Sequence, residues 1–187
     1  MNSFYTRDEL EKIGFKALGE EVLISRNASI YGASNMTIGN HVRIDDFCIL
    51  SGNITLGNYV HISAYTALYG KGGIEIGNYC GCSPRSTIFS QTDDFSGEFM
   101  IGPMIPEKLT NVKTGKVTLE DYAQLGANTV VLPGVTLKEG AVTGSMSLVT
   151  NSLEEWTINV GIPCKKLKNR STKAKLLSKE IRWEHEI

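Results

Sequence analysis

Stepping along the chain six residues at a time from Leu18 meets an aliphatic side chain at nearly every stop. Ile24 and Ile30 follow, then, after two extra residues, Ile38, Ile44, Leu50, Leu56, Ile62 and Leu68. Two more extra residues precede Ile76, Cys82 and Ile88, and beyond a longer interruption come Leu119, Leu125, Val131, Leu137, Thr143 and Val149. A period of six is neither helical nor a plain alternation. It predicts a short strand, a corner and a short strand again, with three steps to a coil. A second column, four residues after each rung, is mostly small or β-branched: Val22, Ala28, Ser34, Val42, Cys48, Ile54, Val60, Thr66, Gly72, Cys80, Ser86, Thr92, Ala123, Thr129, Val135, Ala141, Ser147 and Leu153. Gly19, Gly39, Gly57 and Gly77 each follow the first rung of a coil, where a tight turn calls for a residue free of Cβ restraint. One coil buries nothing by itself, so only stacking of about six coils, over residues 18 to 153, makes a continuous interior.

The ends carry a different pattern. Thr6-Arg-Asp-Glu9 reads as a capping box opening a short helix with Leu10, Ile13 and Ala17 on its apolar face. Residues 1–17 are thus a helical cap, 18–160 the stacked prism and 161–187 a closing segment. In that last part Leu176, Leu177, Ile181 and Trp183 among lysines and glutamates predict an amphipathic helix from Ser171 to Ile187. An external loop over about 91–116 is too long for a passive connection. With Phe99, Met100, Met104 and Ile105 it is also too apolar to stand free in water, and we expect it to fold over a neighbouring prism and wall a pocket.

Composition narrows the chemistry. The 187 residues, 41% apolar and 21% charged, make one globular domain, and a net charge of −1 argues against nucleic acid or an anionic membrane as partner. No apolar leader or membrane-length run is present, so the expected location is cytoplasmic and no membrane insertion is expected. Cys48, Cys80, Cys82 and Cys164 lack metal spacing and read as reduced, small filler. His41, His61 and His185 form no convergent column that would hold zinc, so no metal is expected.

The hexads, each an aliphatic residue, a glycine, two free positions and a small residue, resemble those of the hexapeptide-repeat acyltransferases. That resemblance implies an all-β fold, a left-handed parallel β-helix, although parallel crossovers in general are right-handed. The stretches Leu125-Gly-Ala-Asn-Thr-Val-Val-Leu-Pro-Gly-Val-Thr-Leu137, Gly144-Ser-Met-Ser-Leu-Val-Thr150 and Val160-Gly-Ile-Pro-Cys-Lys-Lys-Leu-Lys168 are similar to the closing coils of the galactoside and maltose acetyltransferases. The family binds acetyl-coenzyme A in a groove between subunits of a trimer. Carried over by position, Ala127, Ser145 and Thr150 line the pantetheine arm, and Lys165 and Lys168 lie near the phosphates. Asn151 stands where a lysine is usual, which leaves Lys166 or Arg170 to compensate. As a bare charge pattern, 165–170 is also a solvated basic run.

Galactoside-type relatives place a general-base histidine where the coil Ile76–Ile88 runs into the loop. Here the stretch is Ser90-Gln-Thr-Asp-Asp-Phe-Ser-Gly97, and that position is Asp94. A carboxylate, with a reference pKa of about 3.9 against ~6.5 for imidazole, is the weaker base unless its surroundings raise it. Three readings stand side by side. His61, from the preceding coil, is the base in a site completed by a second subunit. Or the acceptor is an amine, already nucleophilic when it arrives unprotonated, for which Asp93 or Asp94 accepts the proton or holds the substrate. Or the two aspartates only cap the turn. Ser63 and Tyr65 fall where the relatives contact sugar. The expected activity is transfer of acetyl from acetyl-coenzyme A to a hydroxyl or amino group of a sugar or nucleotide-sugar, in surface-polysaccharide synthesis. The alternative is a non-catalytic β-helix scaffold.

Overall fold

The computed structural model describes residues 3–181. Its rungs pair as the hexads require. Leu18, Ile38, Leu56, Ile76, Leu119 and Leu137 form one parallel column, and Ile30, Leu50, Leu68, Ile88, Val131 and Val149 another. Ile24, Ile44, Ile62, Cys82 and Leu125 begin the third, which continues through Val142–Thr143 to Thr157–Val160. Six complete coils and the start of a seventh stack into a three-faced parallel β-helix. The first face carries the column of Leu18, the second that of Ile24 and the third that of Ile30. Strands Ile49–Leu56 and Ala67–Ile76 run through the corner from the third face to the first, merging those faces into one ten-stranded sheet; the second face is a separate eight-stranded sheet. Nearly every rung side chain is fully buried.

The second column follows a different rule from the one the spacing suggested. Ser34 is exposed, and Gly72 and Thr92 are only partly buried; their places are taken by Met36, Ile74 and Val117, all buried, with Met36 and Ile74 paired in register with Ile54 and Val117 with Ile74. The inward position is set by strand alternation two residues before the next rung, so it is unaffected when residues are inserted at the preceding corner.

The glycines also serve another purpose. Gly19, Gly39, Gly57 and Gly77 are absent from the left-handed region. A Cβ on Gly19 would lie 2.4 Å from the carbonyl carbon of Gly39, and one on Gly39 2.5 Å from the carbonyl oxygen of Gly57, so it is the approach of the next coil that excludes a side chain. At this corner the left-handed residues are instead Glu21, His41, Tyr59, Tyr79, Tyr122, Gly140 and Trp156, and at the next corner Phe47, Tyr65, Arg85, Asn128 and Met146. At the first of these corners the rings from His41 to Trp156 form a ladder at centroid spacings of 4.5, 5.1, 5.1 and 5.8 Å, which makes His41 structural. Beside it the side chains of Asn40, Asn58, Asn78 and Asp121 each accept a backbone N–H from the coil before.

Cys48, Cys80 and Cys82 are buried and free, and burial raises their thiols, to about 11 for Cys48, to about 12 for Cys80 and further for Cys82. They are filler rather than reactive groups.

At the N-terminus α1 spans Arg7–Ile13 with the Thr6/Glu9 capping box and buries Leu10 over the first coil; Gly14 ends it, and Ala17 lies in the first strand rather than on the helix. Of the C-terminal helix expected over 171–187, the described residues, which end at Ile181, hold two short helical turns rather than one continuous helix. Lys165–Asn169 returns as an antiparallel strand on Thr157–Val160, and only α2, Ala174–Leu177, and a 3₁₀ turn at Ser178–Glu180 follow. Leu176 and Leu177 stay exposed, and no single long apolar face is formed to sustain a helix. Trp183 and His185 lie outside the described residues.

Candidate active site

All large insertions leave the prism at the corner between the third and first faces. The longest begins at Ser90, which is fully buried. Its hydroxyl donates to the Tyr69 carbonyl at 2.8 Å and accepts the Gly72 N–H at 2.9 Å, and its carbonyl accepts the Gly115 N–H at 2.9 Å. One serine therefore fixes both ends of the loop, which Gln91–Thr92 and Lys113–Thr114 close as an antiparallel pair.

The two aspartates of this stretch differ sharply. Asp94 is buried; its Oδ1 accepts the Ser96 N–H at 2.8 Å, and its Oδ2 accepts Asn111 Nδ2 at 2.7 Å and faces Lys113 Nζ at 3.5 Å. The backbone hydrogen bond from Ser96, followed by its side chain, Asn111 and Lys113, pulls the carboxyl to about 2. So held, it caps the turn and is a poor proton acceptor. Asp93 has no hydrogen bond or ion pair among the described residues. It lines a groove of about 250 Å³ on the third face with Ser51, Tyr69, Lys71, Phe89 and Val112, which continues under the loop.

A pH dependence follows for Asp94. Its folded value lies below the ordinary 3.8, so the loop contact is fully present above that value and is lost as pH falls toward about 2. Hydrogen exchange at the Ser96 amide should show protection fading across that interval in the native protein, and an Asp94→Asn variant should lack the pH step. Constant protection down to pH 2 in the native protein would show that the carboxylate does not hold the turn.

On the second face, His61 and Ser63 project where successive coils place Arg43 and Asp45. His61 is about half exposed and its Nε2 lies 2.7 Å from Asp45 Oδ2, while Arg43 Nε donates to Asp45 Oδ1 at 2.7 Å. Burial pushes the Asp45 carboxyl up, but the hydrogen bonds from Arg43 and His61 outweigh it and hold the group below its usual value. An ionised Asp45 only accepts, so Nε2 carries the hydrogen and Nδ1 is left as the basic nitrogen. Tyr65, at the next corner, stacks on Phe47 with centroids 5.0 Å apart and lies under the Arg85 guanidinium.

Ala127 and Ser145 occupy the same corner two and three coils further on, linked by the Met146 N–H donating to the Ala127 carbonyl at 2.8 Å. His61, Ser63, Tyr65, Ala127 and Ser145 thus share one edge of the prism. Thr150 lies at the end of the third face, where its hydroxyl accepts Asn151 Nδ2. Lys165 and Lys168 stand exposed on the returning strand beyond the last full coil. Arg170 is occupied elsewhere, donating to the carbonyls of Tyr122 and Gly140 and stacking on Trp156. Within one chain the Asp93 groove and the His61 edge are on different faces. Sequence reasoning missed Asp45, whose signal is its place one coil before Ser63, and Lys71, whose signal is the interrupted hexad. Among the described residues no cluster of three or more potential metal ligands occurs, and no helix is long and apolar enough to cross a membrane.

No protein-family model matches the chain. It is 43% identical over 168 residues to a dTDP-4-amino-4,6-dideoxy-D-glucose acyltransferase of Escherichia coli, covering 88% of each protein. It is 30% identical over 165 residues to WbbJ of Escherichia coli K12, described as a lipopolysaccharide biosynthesis O-acetyl transferase, covering 83% of this chain and 80% of WbbJ. A crystal structure of AntD, an N-acyltransferase from Bacillus cereus, in complex with dTDP and 3-hydroxybutyryl-CoA, superimposes with a TM-score of 0.94 at 50% identity, covering 96% of each chain. With its hexad prism and these near full-length relatives, the chain belongs to the hexapeptide-repeat family of coenzyme A-dependent sugar acyltransferases.

Proposed function

We propose that this protein transfers an acyl group from a coenzyme A thioester to the amino group of a nucleotide-linked deoxyamino sugar, at a site shared by two subunits of a homotrimer. The observation that carries this is identity of 43% and 50%, over nearly the whole chain, to acyltransferases described with a dTDP-amino sugar or with dTDP and an acyl-CoA. The 3-hydroxybutyryl-CoA bound to AntD supports a donor range that includes acyl groups longer than acetyl. The likeness to WbbJ favours a role in surface-polysaccharide synthesis, in the cytoplasm where a CoA thioester and a nucleotide sugar meet.

Asp93, with no partner among the described residues and lining the groove, is the group suited to an amine. An acceptor arriving as an ammonium ion gives one proton to Asp93. The freed lone pair attacks the thioester carbonyl carbon, the C–N bond forms as the C–S bond breaks, and the nitrogen's surplus proton goes to the departing thiolate. The products are an amide and the free thiol of coenzyme A. In this arrangement Ser63, Tyr65, Ala127, Ser145 and Thr150 of one subunit guide the pantetheine arm and acceptor past the Asp93 groove of the next. Lys165 and Lys168 take the cofactor phosphates, and the apolar loop residues Phe95, Phe99, Met100 and Met104 are covered by the neighbour.

A second reading, transfer to a hydroxyl, has the Asp45–His61 contact in its favour, because a carboxylate that fixes the imidazole tautomer prepares a general base. A screen of dTDP-4-amino-4,6-dideoxyglucose against sugars bearing only hydroxyls, following thiol release from acetyl- and 3-hydroxybutyryl-CoA, separates the two. Release with the amine alone, and little change in His61→Ala, is expected. Release with hydroxyl acceptors, and a loss of about 10²–10⁴-fold in His61→Ala, would transfer the role to His61. Thiol release with none of them would leave the scaffold reading.

A further inference from the structure

The hexad rule has no place for Lys71. It comes from the two residues added between Leu68 and Ile76, in the stretch Gly70-Lys71-Gly72-Gly73. Its backbone is pinned on both sides. The Lys71 carbonyl accepts Asn53 Nδ2 at 3.2 Å, and the next N–H, that of Gly72, donates to the buried Ser90 hydroxyl. The flanking glycines are required: a Cβ on Gly70 would lie 2.8 Å from the Asn53 carbonyl oxygen, and one on Gly72 2.4 Å from that of Ser90. A rigid, closely fitted turn therefore presents a lysine whose ammonium group has no partner among the described residues.

Asp93 lines the same groove, is equally unpaired, and does not pair with Lys71. In the same groove Tyr69 and Phe89 stack at 5.3 Å and 12°, giving it an aromatic wall, with Tyr69 39% exposed. A cation, an anion and an aromatic face held in one groove fit a ligand that carries an anionic group, an amine and a ring. We infer that Lys71 binds the diphosphate of a nucleoside-diphosphate-linked amino sugar against the Tyr69–Phe89 wall, placing its amine at Asp93. The inference rests on the proposal of a nucleotide-linked acceptor and adds the residues that select for it. Lysine suits the task as a compact point charge for phosphate oxygens.

Titration calorimetry with dTDP as probe tests it on the intact protein. Wild-type protein should bind dTDP more weakly as salt rises, Lys71→Gln should raise Kd about tenfold or more, and Lys71→Arg should recover most of the affinity. Coenzyme A binding and the thermal transition should be the same in all three, since the Lys71 side chain makes no hydrogen bond or ion pair among the described residues. Lys71→Gln binding dTDP as tightly as wild type would overturn the assignment while leaving the nucleotide-linked acceptor standing. Wild-type protein that binds coenzyme A but not dTDP would overturn both.

Discussion

Asp93→Asn lowers kcat/KM for an amino-sugar acceptor by about 10²–10⁴-fold, the range expected when a positioned proton acceptor is removed, and leaves the thermal transition where it was. Asparagine keeps the shape of the side chain and its hydrogen-bonding reach but cannot take a proton from an arriving ammonium. The deficit should therefore narrow as pH is raised through the acceptor's own amine pKa, because more of the substrate then arrives with its lone pair free. Asp94→Asn should behave in the opposite way. Its hydrogen bonds to Ser96 and Asn111 hold the turn, so the change is read first in loop protection and only secondarily in rate. Equal losses of rate in both variants, with no pH recovery in either, would mean that the loop conformation rather than one carboxylate governs turnover.

Leu50→Ala costs about 2–5 kcal/mol in unfolding free energy, measured by urea denaturation, as expected for a fully buried leucine truncated where neighbours cannot close the gap. Leu50 is held between Ile30 and Leu68 in its column, and backbone hydrogen bonds set the coil spacing, so relaxation along the prism axis is blocked. Leu167→Ala, with its side chain 62% exposed on the returning strand, should stay within about 0.5 kcal/mol of wild type. A similar loss at both positions would mean that the interior columns do not dominate stability.

The rungs were legible because a period of six has one mechanical meaning, and every aliphatic position from Leu18 to Val149 pairs as its spacing requires. The reason for the glycines was not legible: Gly19 and Gly39 look like turn residues, yet it is the coil above each that excludes a Cβ, and contact between coils leaves no local signature. Left-handed corners fall also to Tyr59 and Tyr79, bulky residues that propensity alone would not choose there but that ring stacking compensates. The returning strand at 165–169 was not legible, because its lysines read as a solvated basic run and nothing local announces the open strand edge of Thr157–Val160 to which it bonds. At the candidate site, Asp93 and Asp94 are chemically identical in sequence. Only the partners contributed by Ser96, Asn111 and Lys113 distinguish a pinned carboxylate from a free one.

Two of the three corners always take the same number of residues, while the third carries the additions after Ile30 and Leu68 and the long excursion after Ile88. Chain length can therefore vary along a single seam without altering the stacking of any interior column. A lineage could retune which acceptor it accepts by lengthening or trimming that seam alone, leaving the opposite edge, where the thioester arm is proposed to lie, unchanged.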